Sequence, residues 1–423
     1  MSKVIIVGGG AAGVFAACTA AMYGHEVTLL EKNEKIGKKL FITGKGRCNM
    51  TNAAPSEELM THVISNPRFL YSAFAGFDNR DFLAFCEEHH LPYKIERGER
   101  VFPESDHSSD VLKMFTNTME ELGVTVKLNT KVTSLLAENG RIVGAEAEEL
   151  SDPGKKNGRK LRLSADAVIL CTGGLSYPVT GSDGDGFRFA KEFGHNVEKL
   201  RPALVPLTCK ETELCKELMG LSLKNVTLSV YESSEKKKTV TSGFGEMLFT
   251  HFGISGPIVL TASSVITDRK FPMYAEIDLK SALTEEQLHA RFLREFEASP
   301  NKAVHNVISS VYPAKLVPVI LRLAKTEPLK KANEVTTENR NALVHVTKHF
   351  PLTITGTRGF EEAIITHGGI DTREVNPKTM ESRLVKGLYF AGEILDVDAE
   401  TGGFNLQIAW STAFAAASHI EFT

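Results

Sequence analysis

The feature that most constrains this chain lies at its start. A β-branched run, Lys3 to Val7, meets Gly8-Gly9-Gly10-Ala11-Ala12-Gly13, and an alanine-rich helical segment follows to about Tyr23, where Gly24 stops it. Val27–Leu30 reads as a second buried strand with Glu31 at its end, 18 residues after Gly13. This is a βαβ unit that opens a parallel sheet. In Gly8-x-Gly10-x-x-Gly13, Gly8 permits the tight turn, Gly10 lets a pyrophosphate approach the backbone, and Gly13 allows close helix–strand packing. The amides of Ala11, Ala12 and Gly13 open the helix and offer free N–H groups and a partial positive charge to phosphates. Glu31 can accept hydrogen bonds from ribose hydroxyls, each worth about 1.5–3 kcal/mol when charge-assisted. A glycine turn alone could be purely structural, but strand, helix, second strand and acidic terminus occur together here, which favours a dinucleotide site. The acidic Glu31 disfavours a ribose 2′-phosphate, so the ligand is NAD or FAD, and the fingerprint does not choose between them.

Helical patterns with short strands between them continue to about residue 196. Leu83–Glu88 and Val111–Leu122 read as helices, and Val124–Leu128, Val132–Leu136 and Ala167–Cys171 as strands. The turn-rich Ser151–Lys160 reads as an exposed hairpin tip. The style then changes. Ala203–Thr208, Val226–Tyr231, Lys238–Ser242 and Met273–Leu279 suggest an antiparallel piece with Glu235–Lys238 at a hairpin tip, and a helical stretch runs from Thr284, a predicted N-cap, to about Phe350. The last seventy residues return to the first style, with strands at Ala363–Thr366 and Leu388–Ala391 and an apolar helix over Phe404–His419. The spacing predicts a nucleotide-binding domain from 1–195 and 350–423, a β-rich insertion subdomain over 196–282, and a helical cap subdomain over 283–349.

The 423 residues carry 49 Lys and Arg against 52 Asp and Glu, a net charge of −3. No global basic field therefore favours nucleic acid or anionic lipid. The clusters Lys35–Lys39 and Lys236–Lys238 read as solvated faces. No apolar run approaches the roughly 20 residues that cross a bilayer, and the opening segment runs into glycines too soon for a signal-peptide core. The six cysteines lack CxxC or metal-type spacing and read as reduced thiols of a cytoplasmic protein. No metal site, nucleic-acid partner or membrane association is expected, and oligomeric state is open.

Four further segments choose the cofactor: Gly37–Asn52, including Gly44-Lys-Gly46-Arg47-Cys48-Asn49; Cys171-Thr172-Gly173-Gly174; Gly181-Ser-Asp183-Gly184-Asp-Gly186; and Gly387–Asp396 with Gly402-Gly403-Phe404-Asn405-Leu406-Gln407. Together with the fingerprint, and with Leu248–Pro257 in the insertion, they resemble the bacterial flavoprotein family called NAD(FAD)-utilising dehydrogenases, whose members include aminoacetone-oxidase-like proteins and bile-acid enoyl reductases. The resemblance spans essentially the whole chain. It implies an α/β, glutathione-reductase-like Rossmann domain that binds FAD. Gly44–Asn52 suits a backbone-lined wall beside the flavin. Val132 would offer main-chain groups to the adenine edge, and Lys32 or Lys38 could touch the adenosine. Thr172-Gly173-Gly174 resembles a turn that large flavoenzymes place near the pyrophosphate. Gly392, Glu393 and Asp396 would lie toward the ribityl–phosphate region. The helix opening at Gly403-Phe404-Asn405-Leu406 would aim its amides at the isoalloxazine and stabilise the anionic reduced ring. An ordinary turn and core helix is the plainer alternative for this last motif.

The flavin would carry the chemistry while the protein orients substrate and ring. No second GxGxxG follows a strand, so NAD(P)H, if it is the electron donor, would stack over the flavin transiently; otherwise the small organic substrate is the donor and dioxygen the acceptor. His251 and His367, each beside glycine, are candidate proton donors, with a structural histidine as the plain reading of either. Tyr177 is a weaker candidate. Arg47 could orient a carboxylate or phosphate, or bind the cofactor itself. Cys48 reads as a wall residue, since no partner thiol lies near it in sequence. The expected function is FAD-dependent hydride transfer to or from a small organic substrate; a flavin-bound redox sensor or partner-binding protein is the alternative.

Overall fold

The computed structural model describes residues 1–150, 158–235 and 238–422, and these form two compact units, one of 1–202 with 360–423 and one of 203–359. Most of the expected Ser151–Lys160 tip, and the middle of the Glu235–Lys238 tip, lie outside the described residues.

The first unit is built on a five-stranded sheet in the order Leu388–Phe390, Ala167–Leu170, Lys3–Val7, Glu26–Leu30, Thr125–Lys127, parallel throughout. Val4 to Val7 are all buried, which is why this strand shows no alternation: a parallel strand covered on both faces is apolar on both. The fingerprint helix, Ala11–Met22, is buried along Ala12–Ala20; its small side chains let it pack along the equally alanine-rich C-terminal helix, Phe404–Ser418. Phe15, Phe82 and Trp410 lock these helices together, with the Phe82 and Trp410 rings stacked 4.8 Å apart at 3° and Phe15 at 5.7 Å from Trp410. The Trp410 indole N–H donates to the Met50 carbonyl at 2.9 Å, so the indole is buried without an unsatisfied donor. A three-stranded meander, Thr130–Glu138, Arg141–Glu149 and Arg159–Ser164, completes this unit's larger sheets.

The 203–359 unit is a closed six-stranded antiparallel barrel, joined by helices Glu285–Ala298, Val304–Ile308, Leu316–Leu323 and Thr337–Lys348. Two expectations change here. The strand Phe350–Thr357, predicted to rejoin the nucleotide domain, pairs with Met273–Asp278 and Leu207–Cys209 and closes the barrel. Its period-two pattern, with Phe350, Leu352 and Ile354 buried, suits a half-covered antiparallel strand and not a doubly covered parallel one. The predicted β-rich and helical subdomains are also one body, because Phe249, Phe292, Phe296 and Phe350 belong to one continuous core. The boundaries thus fall at 202/203 and 359/360 instead of 195/196 and 349/350.

Candidate functional site

Two helix N-termini with uncapped amides lie in the first unit. In the fingerprint helix the first intrahelical donor is Val14, bonded to Gly10 O at 3.0 Å, and no side chain caps the preceding amides. The C-terminal helix begins likewise, with Gln407 N–H on Gly403 O at 3.0 Å and no side-chain cap. Gly392 packs against both helices: at φ +79°, a Cβ there would meet Ala12 Cβ at the start of the first at 2.8 Å and Ala409 Cβ in the second turn of the C-terminal one at 3.8 Å. Its amide donates to Thr412 Oγ1 at 2.9 Å.

The fingerprint glycines divide as their roles require. A Cβ on Gly13 would sit 1.8 Å from Gly8 O, and one on Gly8 2.7 Å from Cys171 O, whereas nothing lies within 4 Å of the Cβ position of Gly10. Gly8 and Gly13 are there for packing, and Gly10 faces open space. Glu31, buried, accepts the Gly9 amide at 2.6 Å and, on its other oxygen, the Asn33 amide at 2.8 Å and Asn33 Nδ2 at 2.7 Å. Its ionised carboxylate retains lone-pair capacity beyond these. The Thr130 amide donates to Glu31 O at 2.9 Å, bringing the meander, with Val132, beside the same terminus.

Lys32 and Lys38 are both engaged by the protein. Lys32 pairs with Asp183 at 2.6 Å and Asp185 at 3.1 Å, and Lys38 with Glu34 at 2.7 Å. The neighbouring Lys39, read with the rest of Lys35–Lys39 as a solvated face, is instead half-buried and reaches Glu393 Oε2 at 2.6 Å. Glu393 Oε1 accepts Ser176 Oγ at 3.1 Å and the Thr366 amide at 2.8 Å. The Thr172-Gly173-Gly174 turn abuts this group, since a Cβ on Gly174 would lie 3.1 Å from Glu393 Oε1.

The Gly44–Asn52 stretch packs at the start of the C-terminal helix. A Cβ on Gly403 would be 2.3 Å from Thr51 O, Thr51 Oγ1 donates to Gln407 Oε1 at 2.7 Å, and Asn52 Nδ2 donates to Gly402 O at 3.0 Å. Gly44 and Gly46 both take left-handed backbone there. Arg47 stacks over Phe102 at 4.0 Å and is held by Glu96 and by Asp106 at 2.6 Å; its guanidinium serves this carboxylate pair. Cys48 is buried, and burial pushes its thiol up to about 12, which disfavours a thiolate nucleophile there.

Three buried oxygens have no hydrogen-bond partner among the described residues and belong to this region: Asn49 Oδ1, Thr172 Oγ1 and Asp398 Oδ2. Asn49 and Thr172 were expected at the cofactor. Unsatisfied buried polar atoms are rare in folded proteins, so these two, with the open face at Gly10, fit a polar group the protein is shaped to receive.

The candidate acids fall in different units. His251 lies in the 203–359 unit, exposed, with its ring edge-on to Phe252 at 5.0 Å. His367 lies in the first unit, where Nδ1 sits 3.2 Å from Asp398 Oδ1 and 3.3 Å from Ser65 Oγ. Asp396 receives Asn66 Nδ2 at 2.8 Å, and burial pushes its carboxyl up. The loop carrying both aspartates turns directly into the C-terminal helix, fastened by Asn405, whose Oδ1 accepts the Ala399 amide at 2.9 Å and whose Nδ2 donates to Ala399 O at 2.8 Å. Phe404 is stacked 4.1 Å from the His62 ring, and His62 Nδ1 lies 2.8 Å from Glu400 Oε2. Leu406 is half-buried. Burial pushes the Tyr177 phenol up. Asp398 and His62 escaped the sequence reading, and Lys39 and Thr366 were read only as part of a solvated cluster and of a strand; the local spacing of the chain carries no sign of their contacts.

A sequence profile described as the HI0933-like protein Rossmann domain matches residues 2–419. A ribosomal RNA dihydrouridine synthase of Haemophilus influenzae is 32% identical, covering 99% of this chain and 98% of that one. A 3-dehydro-bile acid delta(4,6)-reductase of Clostridium scindens is 31% identical over 98% of each chain. Among solved structures, 3-ketosteroid delta1-dehydrogenase of Sterolibacterium denitrificans superposes with a TM-score of 0.54 at 14% identity, covering 99% of both chains, a likeness of fold.

Proposed function

The chain belongs to the HI0933-like Rossmann family, and from that premise we propose that it is a FAD-dependent reductase of a carbon–carbon double bond conjugated to a carbonyl. The carrying observation is the two uncapped helix N-termini, on helices that both pack against Gly392, with the open face at Gly10 and the buried Asn49 Oδ1 and Thr172 Oγ1 that lack a partner among the described residues. Gly8 to Gly13 would hold the diphosphate, Glu31 the ribose, the main chain at Val132 the adenine edge, and Thr172–Gly174 with Gly392 and Glu393 the middle of the cofactor. The amides of Phe404, Asn405 and Leu406 would face the ring and favour its anionic form. When bound and reduced, for instance by a nicotinamide donor, FAD would supply the hydride. His367 supplies the proton that completes the addition, as a group able to change charge near neutral pH.

Two relatives support the substrate class. Dihydrouridine is uridine saturated at its ring double bond, and a delta(4,6)-reductase of a 3-dehydro bile acid saturates bonds conjugated to a ketone. Both names describe hydride and proton added across an alkene activated by a carbonyl. Charge favours the polyanionic member. Residues 203–359 hold 20 Lys and Arg against 16 Asp and Glu, net +4, while the rest holds 29 against 36, net −7. The whole-chain value of −3, which argues against nucleic acid, conceals this division. Uridine in RNA is therefore the first acceptor to test.

An anaerobic visible spectrum of the purified protein, followed during NADH and then NADPH addition, tests the reading. Bleaching of a flavin band by either donor, then reoxidation by uridine-containing ribosomal RNA with the mass gain of two hydrogens per modified base, is the expected result. A steroid enone that reoxidises the flavin while RNA does not would keep the reaction class and replace the substrate. A protein that takes up no flavin on reconstitution would overturn the proposal.

A further inference from the structure

We propose that Asp398 is the positioning residue of His367, fixing its ring so that Nδ1 carries a permanent proton and Nε2 is the nitrogen that exchanges one. The inference rests on the reading of His367 as the proton donor, and it concerns a contact that no sequence motif indicates.

Asp398 lies buried against His367. Its side chain is 2% exposed, its Oδ1 lies 3.2 Å from His367 Nδ1, and its Oδ2 has no partner among the described residues. A buried carboxylate needs donors, because an ionised group stripped of water and left unpaired costs several kcal/mol. An ionised carboxylate can only accept. Were the His367 proton on Nε2 alone, Nδ1 would be an acceptor facing an acceptor, and Oδ1 would lose its donor as well. With the proton on Nδ1, that oxygen is satisfied and the ring orientation is set by a charge-assisted bond.

Asp396, two residues earlier and also near His367, receives Asn66, which donates to both its carbonyl and its Oδ2 at 2.7 and 2.8 Å. Ser65 Oγ, at 3.3 Å from Nδ1, is a hydroxyl that can rotate to accept and so places no demand on the tautomer. Glu400 faces His62 and not His367. The backbone of Asp398 is held independently of its side chain, since its carbonyl accepts the Ile64 and Ser65 amides at 2.8 and 3.3 Å. Substitution of the carboxylate can therefore leave the loop in place. The donor is the imidazolium, protonated on both nitrogens: hydride from the proposed reduced flavin would reach one alkene carbon, Nε2 gives its proton to the carbon next to the carbonyl, the neutral ring keeps its Nδ1 proton, and solvent returns one proton to Nε2.

The test reads the ring directly. In protein labelled with nitrogen-15 histidine, long-range nitrogen–proton correlation distinguishes the two tautomers, and His367→Gln identifies the signal. His367 is expected to hold its proton on Nδ1 in the unaltered protein. In Asp398→Asn the Nε2-protonated form should grow by at least tenfold, while Asp398→Glu retains the Nδ1 form and Ser65→Ala leaves the ring unchanged. Turnover should divide in the same way, with kcat of Asp398→Asn down at least tenfold, KM little changed, and the Glu variant partly restored. A neutral ring protonated on Nε2 in the unaltered protein, or an unchanged neutral tautomer in a folded Asp398→Asn, would overturn the inference. The correlation spectrum needs no substrate, so a wrong reaction class would leave this result standing.

Discussion

At the scale of single residues, geometry separates glycines that a motif merely names from those that packing demands. Gly13 is of the second kind. The oxygen its Cβ would strike is backbone, 1.8 Å away, and cannot rotate aside as a side chain could. Gly13→Ala is expected to cost about 1–3 kcal/mol by overpacking and to purify with little flavin, whereas Gly10→Ala, with nothing within 4 Å, should remain as stable as the parent and weaken only flavin retention. Denaturant midpoints and flavin-to-protein absorbance ratios check both. Asp371 gives a prediction in pH. The Arg373 side chain, bonded to it through Nε at 2.9 Å, holds its carboxyl below the usual range, while its Oδ1 also accepts the Arg373 amide at 2.9 Å. A depressed carboxylate contributes stability above its unfolded pKa and loses it as pH falls through the folded value. Asp371→Asn keeps the backbone bond and removes the charge. It should therefore be less stable than the parent near pH 7, by under about 1 kcal/mol given the exposed arginine, and the difference should shrink as pH falls through and below the ordinary carboxylate range. A difference that persists in acid would assign the effect to shape.

At the scale of elements, legibility followed locality. Lys3–Val7 was bounded correctly because its neighbours in sequence are also its punctuation. Thr284 was legible for the same reason: its Oγ1 accepts the Gln287 amide at 3.2 Å and Gln287 Oε1 accepts the Thr284 amide at 3.0 Å, a reciprocal cap written within four residues. Thr284→Ala should cost the 203–359 unit about 1 kcal/mol and leave flavin content unchanged, with Thr284→Ser recovering most of the loss in denaturant midpoint. Phe350–Thr357 was misassigned because its pattern says strand but not whose strand; only the pairing with 273–278 and 207–209 decides. The site divides likewise. Gly8, Gly10, Gly13 and Glu31 lie within one βαβ unit and could be read. Lys39 with Glu393, 354 positions apart, and His367 with Asp398, 31 apart, are meetings made by the sheet and the returning C-terminus, and no local period records them.

At the scale of the whole molecule, the consequence that matters is that the two units have separate hydrophobic cores. The residues proposed to hold FAD all come from the first. A ligand stabilises what it binds by mass action, about 2.7 kcal/mol at a hundredfold excess over Kd, and units with separate hydrophobic cores can unfold as separate cooperative units. Scanning calorimetry should therefore resolve two transitions, with FAD raising one markedly and the other less. Thr284→Ala supplies the assignment, because it should lower the transition that FAD moves less. If FAD and Thr284→Ala act on the same transition, or if a single transition responds to both, the barrel and the nucleotide unit melt as one. The division seen in the cores would then describe packing without describing cooperativity. If they act on different transitions, the separation is thermodynamic as well as structural. The net +4 unit could then be altered for substrate choice, by charge reversal on its surface, without disturbing the unit proposed to hold the cofactor.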